Sequence, residues 1–192
     1  MQAPLKFMMI TTVPEIAQEA EQAGVDRLFI DWEIMGKKDR QPGFLTPIYG
    51  HSDDDARNVK AVLKNSELLI RINPVHEGTS DEVQRAIDCG ADVIMLPFFK
   101  TVAEVEQFLS AVKGRVKTSL LFESAEAVGR AEQILSIREY DEVHFGLNDL
   151  RIGLGLDFLF ESFAGGLIDW LCSLAKQYEK SFGIGGVGNI GK

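Results

Sequence analysis

Apolar residues along the chain fall into short strand-like runs that alternate with longer stretches of helical periodicity. Several runs are continuously apolar, such as 93–96, which is typical of parallel strands covered on both faces. Alternation of this kind is typical of parallel α/β architecture. The pattern predicts seven strands and six intervening helices, with strands at 7–12, 27–32, 68–73, 92–97, 118–122, 142–145 and 181–184, and helices at 14–23, 53–63, 80–89, 102–112, 125–137 and within 158–179.

Polar residues and glycines follow the second predicted strand and every later one. A doubly wound sheet would gather such residues at one switch point, whereas barrel enzymes build their sites at the carboxyl ends of many strands. The distribution therefore favours a (β/α)8 TIM barrel. The residues concerned are Glu33, Arg71, Asn73, Pro97, Glu123, Asn148, Asp149, Gly185, Gly186 and Gly188.

The predicted elements stop short of a complete barrel, because the eighth β/α unit is lacking before Lys192. We expect one barrel domain over 1–192 that is incomplete at its carboxyl end. Truncation of a longer parent is the favoured explanation. The alternative is that a partner subunit closes the gap between the first and seventh strands, since an open strand edge invites pairing.

The net charge and the lengths of the apolar runs argue against nucleic-acid and membrane partners. The 29 acidic residues outnumber the 20 basic ones, giving a formal charge of −9, and no lysine and arginine run is long enough to bind a nucleic-acid backbone. No apolar run approaches the roughly 20 residues of a membrane span, and the amino terminus lacks a secretory signal. We expect neither a nucleic-acid nor a membrane partner, and a cytoplasmic location.

Two carboxylates end consecutive predicted strands, Glu123 after the fifth and Asp149 after the sixth. Side by side at the rim they would repel each other, and Mg2+ or Mn2+ would relieve that repulsion, since both ions prefer oxygen ligands. The alternative is that each acid caps the following helix, a task that Ser124 and Asn148 could share.

Arg71 stands between two isoleucines in the third strand, so its guanidinium needs an anionic partner. A substrate carboxylate or a developing enolate oxygen would satisfy it. An ion pair with Glu33, one strand away, would do so equally well, and both arrangements can hold at once.

Two loop regions are further candidates for binding. The connection 34–52 is long enough for a functional lid, in which Lys37, Arg40 and His51 would meet an anionic substrate, although a solvated loop is the simpler interpretation. In the run 183–189, the backbone N–H groups of Gly185 and Gly186 suit a phosphate or carboxylate. The apolar stripe that follows the sixth strand is predicted to be helix core and comprises Phe158, Leu159, Phe160 and Phe163.

Five short motifs, in this order and spacing, resemble those of the HpcH/HpaI aldolase and citrate lyase beta-subunit superfamily of phosphoenolpyruvate/pyruvate-type barrels. They end the second to sixth strands and are Phe29-Ile30-Asp31-Trp32-Glu33, Ile70-Arg71-Ile72-Asn73-Pro74, Met95-Leu96-Pro97, Leu121-Phe122-Glu123-Ser124 and Phe145-Gly146-Leu147-Asn148-Asp149-Leu150. One position departs from the aldolase branch, which has a histidine where this chain has Ile34. The Arg71 motif and segment 55–57 resemble the citrate lyase branch.

The resemblance implies a carbon–carbon lyase that depends on Mg2+ or Mn2+ at Glu123 and Asp149 and acts through an enolate on a small anionic 2-oxo acid. Arg71 would neutralise the enolate and Glu33 would orient water or substrate. The proton-transfer group stays open between His51, a metal-bound water and a residue outside this chain. The alternatives are a citrate lyase-like enzyme acting on a coenzyme A thioester and a non-catalytic ligand-binding barrel. Relatives of this kind assemble as homo-oligomers, which we expect here also.

Overall fold

The computed structural model describes residues 5–37 and 50–185, in which seven strands form one parallel sheet in the order β1 to β7. Each strand pairs with the next one along the chain, as the alternating pattern predicts. Their bounds are β1 Met8–Ile10, β2 Arg27–Asp31, β3 Glu67–Arg71, β4 Val93–Leu96, β5 Lys117–Phe122, β6 Glu142–Gly146 and β7 Ser181–Gly185.

Nine helices connect the strands within the described residues. Side-chain caps start several of them: Ser52 and Asp55 form a capping box at one, and Thr101 and Glu104 form the same motif at another. Gly24, with φ of +93°, follows the end of the first helix in the left-handed conformation that glycine permits. The helices are α1 Pro14–Gln22, α2 Asp53–Val62, α3 Thr79–Asp88, α4 Val102–Val112, α5 Ala125–Val128, α6 Ala131–Leu135, α7 Leu147–Gly153, α8 Glu161–Ala164 and α9 Leu167–Gln177.

The sheet is strongly curved. Arg27 on β2 contacts Glu142 on β6 with 2.5 Å between Nη1 and Oε1. In a flat sheet these strands would lie four strand spacings apart, about 19 Å. The seven strands therefore curl around a shared interior, as a barrel requires. The complete eight-stranded TIM barrel stays a prediction.

Alternate residues of the strands serve two different cores. Leu28, Ile70 and Phe122 belong to the large apolar cluster that includes buried residues of the helices. Leu69 and Met95 belong to a smaller cluster with Val93, Leu121, Met8 and Phe29. This two-sided burial explains why the strands are nearly continuous apolar runs.

One helical prediction needs correction. The stretch 125–137 is two short helices that break at Gly129 and Arg130, where glycine favours an end to the helix. The helix predicted within 158–179 is confirmed as α9, and the short helix α8 precedes it. Helix α7, directly after β6, was missed because it spans only about two turns.

The aromatic stripe is not uniformly core. Phe158 is 58% exposed and Phe160 is 41% exposed, so their assignment to a helix core was wrong. Phe158 and Phe160 precede α8 instead of lying within it. Leu159 and Phe163 are partly buried against the main core, as predicted. Among the described helices, none combines the length and the apolarity that crossing a bilayer requires.

Candidate functional site

The centre of the site is a buried ion pair between β2 and β3. Asp31 and Arg71 are register partners at the carboxyl ends of these strands. Arg71 Nε donates to Asp31 Oδ1 at 2.9 Å, and Nη2 donates to Oδ2 at 2.8 Å. This parallel two-bond geometry fixes the guanidinium plane. The sequence predicted that Arg71 needs an anionic partner, and the structure supplies one that was not predicted, Asp31.

Glu33 and Lys37 complete a cluster of four charges. The Lys37 ammonium donates to Asp31 Oδ2 at 2.7 Å. Glu33 Oε2 lies 3.4 Å from both Lys37 Nζ and Arg71 Nε. The expected ion pair of Arg71 with Glu33 is present, but at a longer distance than the pair with Asp31. Two anions and two cations thus balance each other at the rim.

The electrostatics keep the central pair of this cluster, Asp31 and Arg71, ionised. Burial opposes ionisation of Asp31, but the hydrogen bonds and charge of Arg71, together with Lys37, outweigh it and hold the pKa of Asp31 below its usual value. Burial also disfavours the charged form of Arg71. Asp31, Glu33 and Glu123 outweigh that effect and raise the pKa of the guanidinium. Arg71 is consequently a permanent positive charge, and the negative charge of Glu123 is among those that stabilise it.

Glu123 is 3% exposed and lies at the end of β5. Its Oε1 accepts a hydrogen bond of 3.0 Å from the backbone N–H of Phe98. A Cβ at residue 146 would come within 2.9 Å of Glu123 Oε2, so glycine there makes room for the carboxylate. Helix α5 is capped by Ser124, which accepts from the N–H of Ala127. Ser124 therefore caps this helix, and Glu123 does not have the capping role that the alternative interpretation proposed for it.

Asp149 lies in the first turn of α7, three residues after Gly146. It is half-buried, at the same carboxyl end of the sheet as Glu123. Within residues 5–37 and 50–185, no group of three or more histidine, cysteine, aspartate or glutamate side chains is arranged to hold a metal ion. A metal hypothesis therefore rests on two protein carboxylates, with substrate and water supplying the other ligands.

His51 lies against the backbone at the end of β2. The ring Nδ1 of His51 accepts from the backbone N–H of Asp31 at 3.0 Å, and the backbone N–H of His51 donates to the carbonyl of Asp31 at 3.2 Å. Burial lowers the pKa of His51, against the charges of Asp31 and Asp55. The structure thus brings His51 next to the charge cluster, through main-chain contacts with Asp31.

Asn73 fixes the chain between Glu33 and Lys37. Its Oδ1 accepts from the N–H groups of Ile34 and Met35, both at 3.0 Å. Its Nδ2 donates to Glu82 Oε1 at 2.7 Å. Asn73 therefore connects helix α3 to the segment that brings Lys37 back to Asp31.

Gly185 pairs with Gly146 in the register of β6 and β7. The ring of His144 lies so close to Gly183 and Gly185 that a Cβ at either position would overlap it. Accommodation of His144 is thus a packing reason for Gly185, and its role in anion binding stays a prediction. Burial, with the charges of Arg27 and Arg71, lowers the pKa of His144 to about 4. Gly186 and Arg40 lie outside the described residues.

Sequence reasoning missed Asp31 and underrated Lys37. Asp31 belongs to the motif 29–33, but Glu33, two residues later, was taken as the functional carboxylate of that motif. The two-residue spacing was a usable signal, because alternate residues of a strand face the same side. Lys37 could not be distinguished from other loop lysines, since its burial follows from the path of the chain.

Solved structures of similar fold come from several bacteria. An HpcH/HpaI aldolase/citrate lyase family protein from Burkholderia cenocepacia J2315 aligns with a TM-score of 0.73 and 20% identity over 93% of this chain and 78% of that one. The HpcH/HpaI aldolase from Desulfitobacterium hafniense DCB-2 gives 0.73 and 18% over 96% and 78%. The citrate lyase beta subunit complexed with oxaloacetate and magnesium from M. tuberculosis gives 0.67 and 15% over 94% and 78%. At these identities the likeness shows the fold alone.

Sequence comparison is more specific about the family. None of the curated proteins matches the chain. The family model described as HpcH/HpaI aldolase/citrate lyase matches residues 9–158, which include every strand-end motif from β2 to β6 and the four-charge cluster. This confirms the resemblance drawn from those motifs, and the chain belongs to the HpcH/HpaI aldolase/citrate lyase family.

Proposed function

We propose that this chain is a metal-dependent carbon–carbon lyase that cleaves or forms an aldol-type bond in a small 2-oxo acid through an enolate. The observation that carries the proposal is that Arg71 and the buried carboxylate of Glu123 both lie at the carboxyl ends of their strands, β3 and β5, where the charge of Glu123 contributes to raising the pKa of Arg71. Arg71 is a fixed cation whose charge is coupled to that of Glu123, which is a buried oxygen donor. A binding site for an anion thus lies beside a candidate metal ligand.

The chemistry of the donor set fits Mg2+ or Mn2+. Glu123 and Asp149 supply carboxylate oxygens, which hard divalent cations prefer, and Gly146 lets the Glu123 carboxylate occupy its position at the end of β5. Such an ion is commonly held by one or two carboxylates together with waters and substrate oxygens. When bound, it would polarise the substrate oxygens and so favour the enolate.

The remaining roles belong to side chains of the four-charge cluster and its neighbours. The contacts of Arg71 with Asp31 and Glu33 use Nε and Nη2, which leaves Nη1 to meet the substrate carboxylate or enolate oxygen. Glu33 orients substrate or water beside it. His51, next to Asp31, is one candidate for proton transfer.

The substrate assignment draws support from one relative of known fold, the citrate lyase beta subunit whose structure contains oxaloacetate and magnesium. A 2-oxo acid of that size needs only Arg71 and the metal for its carboxylate and keto oxygens. Gly185 and Gly186 would bind a second anionic group through their backbone N–H groups.

The test is isothermal titration of Mg2+, and then of pyruvate or oxaloacetate, into the metal-stripped chain. Mg2+ binding that strengthens in the presence of the 2-oxo acid is expected. Glu123→Gln should abolish Mg2+ binding because it replaces a charged donor with a neutral amide. Glu132→Gln, at an exposed carboxylate in α6, is the matched control and should bind as the unaltered chain does.

Unchanged Mg2+ affinity in Glu123→Gln would remove Glu123 from the metal site. Turnover of acyl-coenzyme A substrates without any response to 2-oxo acids would move the assignment to a citrate lyase-like thioester reaction. Ligand binding without turnover of either class would instead indicate a non-catalytic binding barrel.

A further inference from the structure

Lys37 is a buried ammonium inside the candidate site. Its side chain is 5% exposed, whereas lysines are almost never fully buried unless they are paired. The Nζ atom lies 2.7 Å from Asp31 Oδ2 and 3.4 Å from Glu33 Oε2. Desolvating an ammonium is costly, so its contacts with these carboxylates are what stabilise it there.

The ammonium is also close to the group proposed to bind substrate. Asp31 Oδ2 accepts from both Lys37 Nζ and Arg71 Nη2, so a single oxygen atom separates the two cations. An ammonium has three N–H donors, and two of them suffice for Asp31 and Glu33. The third can be directed at a substrate that Arg71 holds.

Neighbouring groups are less suited to transferring a proton. Arg71 does not release its protons at any pH that proteins tolerate. Ile34, which follows Glu33, has an apolar side chain that is 55% exposed. The ring Nδ1 of His51 already accepts the N–H of Asp31. Lys37 combines transferable protons with burial inside the charge cluster.

We propose that Lys37 is the proton-transfer residue of the enolate reaction, an inference that rests on the proposed function. After carbon–carbon cleavage, the enolate carbon takes a proton from Nζ. The new C–H bond forms with the electron pair of the enolate double bond, the keto group is restored, and Lys37 becomes a neutral amine. Solvent then carries to the amine the proton that the substrate hydroxyl released when the carbon–carbon bond broke. In reverse, the neutral amine removes a methyl proton from pyruvate.

The reverse step gives a direct assay, which is exchange of the pyruvate methyl protons in deuterated water with Mg2+ present, followed by NMR. Lys37→Met should slow the exchange by about 10²- to 10⁴-fold, the usual contribution of a general acid or base. Lys37→Arg keeps the positive charge next to Asp31 but not the transferable proton, so it should lose exchange while Mg2+ and pyruvate still bind. Lys64→Met, at an exposed lysine, is the matched control.

Exchange that persists in Lys37→Arg would overturn the inference and leave the proposed function intact. Loss of pyruvate binding in Lys37→Arg, in step with loss of exchange, would also overturn it, because Lys37 would then serve binding. If the unaltered chain neither binds Mg2+ nor exchanges the protons, the proposed function fails and the inference fails with it. Circular dichroism of each variant verifies that it is folded.

Discussion

Asn73 shows how one buried side chain can determine the path of a loop. It is 9% exposed and satisfies two backbone N–H groups after β2 together with the carboxylate of Glu82, which is itself 6% exposed. His76 Nε2 lies 3.2 Å from the other oxygen of Glu82. Buried polar groups of this kind are costly when any one partner is removed.

We therefore expect Asn73→Ala to lower the free energy of unfolding by about 2 kcal/mol, since it removes the acceptor of two part-buried N–H groups and one of the donors to the buried carboxylate of Glu82. Urea denaturation measures the change. Pyruvate affinity should fall as well, because the segment between Glu33 and Lys37 loses its anchor. Asn65→Ala, at an exposed asparagine, is the control and should change neither quantity.

Asn73→Asp separates the two roles of the side chain. It keeps an acceptor for the N–H groups of Ile34 and Met35 but brings a second carboxylate against Glu82. A variant that is destabilised yet binds pyruvate normally would agree with this division. Equal stability of Asn73→Ala and the unaltered chain would contradict the anchoring role.

At the scale of elements, the amino ends of four strands are joined by an ion network on the interior side of the sheet. Arg27 of β2 is 5% exposed and contacts Glu67 of β3 and Glu142 of β6. Lys117 of β5 pairs with Glu67. These charges lie at the opposite end of the strands from the candidate site. We therefore interpret these ion pairs as stabilising the curved sheet and not as part of the candidate site.

This network should make stability depend on acid pH. Burial of Glu67 opposes its ionisation, but hydrogen bonds from Lys117 and Arg27 lower its pKa from 4.5 to about 2. A lowered pKa in the folded state adds stability above pH 4.5 that is lost as the pH falls towards 2. The shift in pKa corresponds to roughly 3 kcal/mol of stability. Because the Glu67 side chain is partly exposed, screening by solvent makes its contribution smaller than this.

Glu67→Gln should therefore be less stable than the unaltered chain above pH 4.5, and the difference should shrink as the pH is lowered towards 2. Urea denaturation across that range measures it. Glu77→Gln, at an exposed glutamate, should follow the unaltered chain throughout. A stability difference that does not vary with pH would show that Glu67 acts through packing instead of charge.

At the scale of the whole molecule, the sheet formed by residues 5–37 and 50–185 has two edge strands. In the described part of the chain, β1 and β7 are the edge strands, and apolar side chains near them are exposed, Phe7 by 58% and Ile184 by 41%. Unpaired strand edges with apolar neighbours favour association with another chain. This agrees with the homo-oligomer that the family resemblance implies, which stays a proposal.

We expect the sedimentation coefficient of the chain to rise with protein concentration. Replacing Phe7 and Ile184 together by lysine should shift the chain towards monomer, since charged side chains at strand edges oppose pairing. Phe158→Lys, which removes an exposed aromatic side chain from the segment after α7, is the control for loss of apolar surface alone. A single monomeric species at all concentrations would contradict the expectation.

Much of the architecture was readable from the sequence because barrel strands are buried on both faces and helices on one. All seven strands were predicted within a residue or two of their bounds. The helices that were wrongly predicted are short or interrupted by glycine, and a periodicity of 3.6 residues cannot be recognised over one or two turns. The exposure of Phe158 and Phe160 was also missed, because composition does not tell which side of a segment faces solvent.

By itself, the sequence determined the order of the elements, the family and the strand-end positions of Arg71, Glu123 and Asp149. Those features depend on local periodicity and on motifs of a few residues. Only the tertiary structure decided that Asp31 pairs with Arg71 and that Lys37 joins them. Such contacts depend on sheet register and on the return of a loop across the rim, so they join residues whose separation along the chain carries no signal.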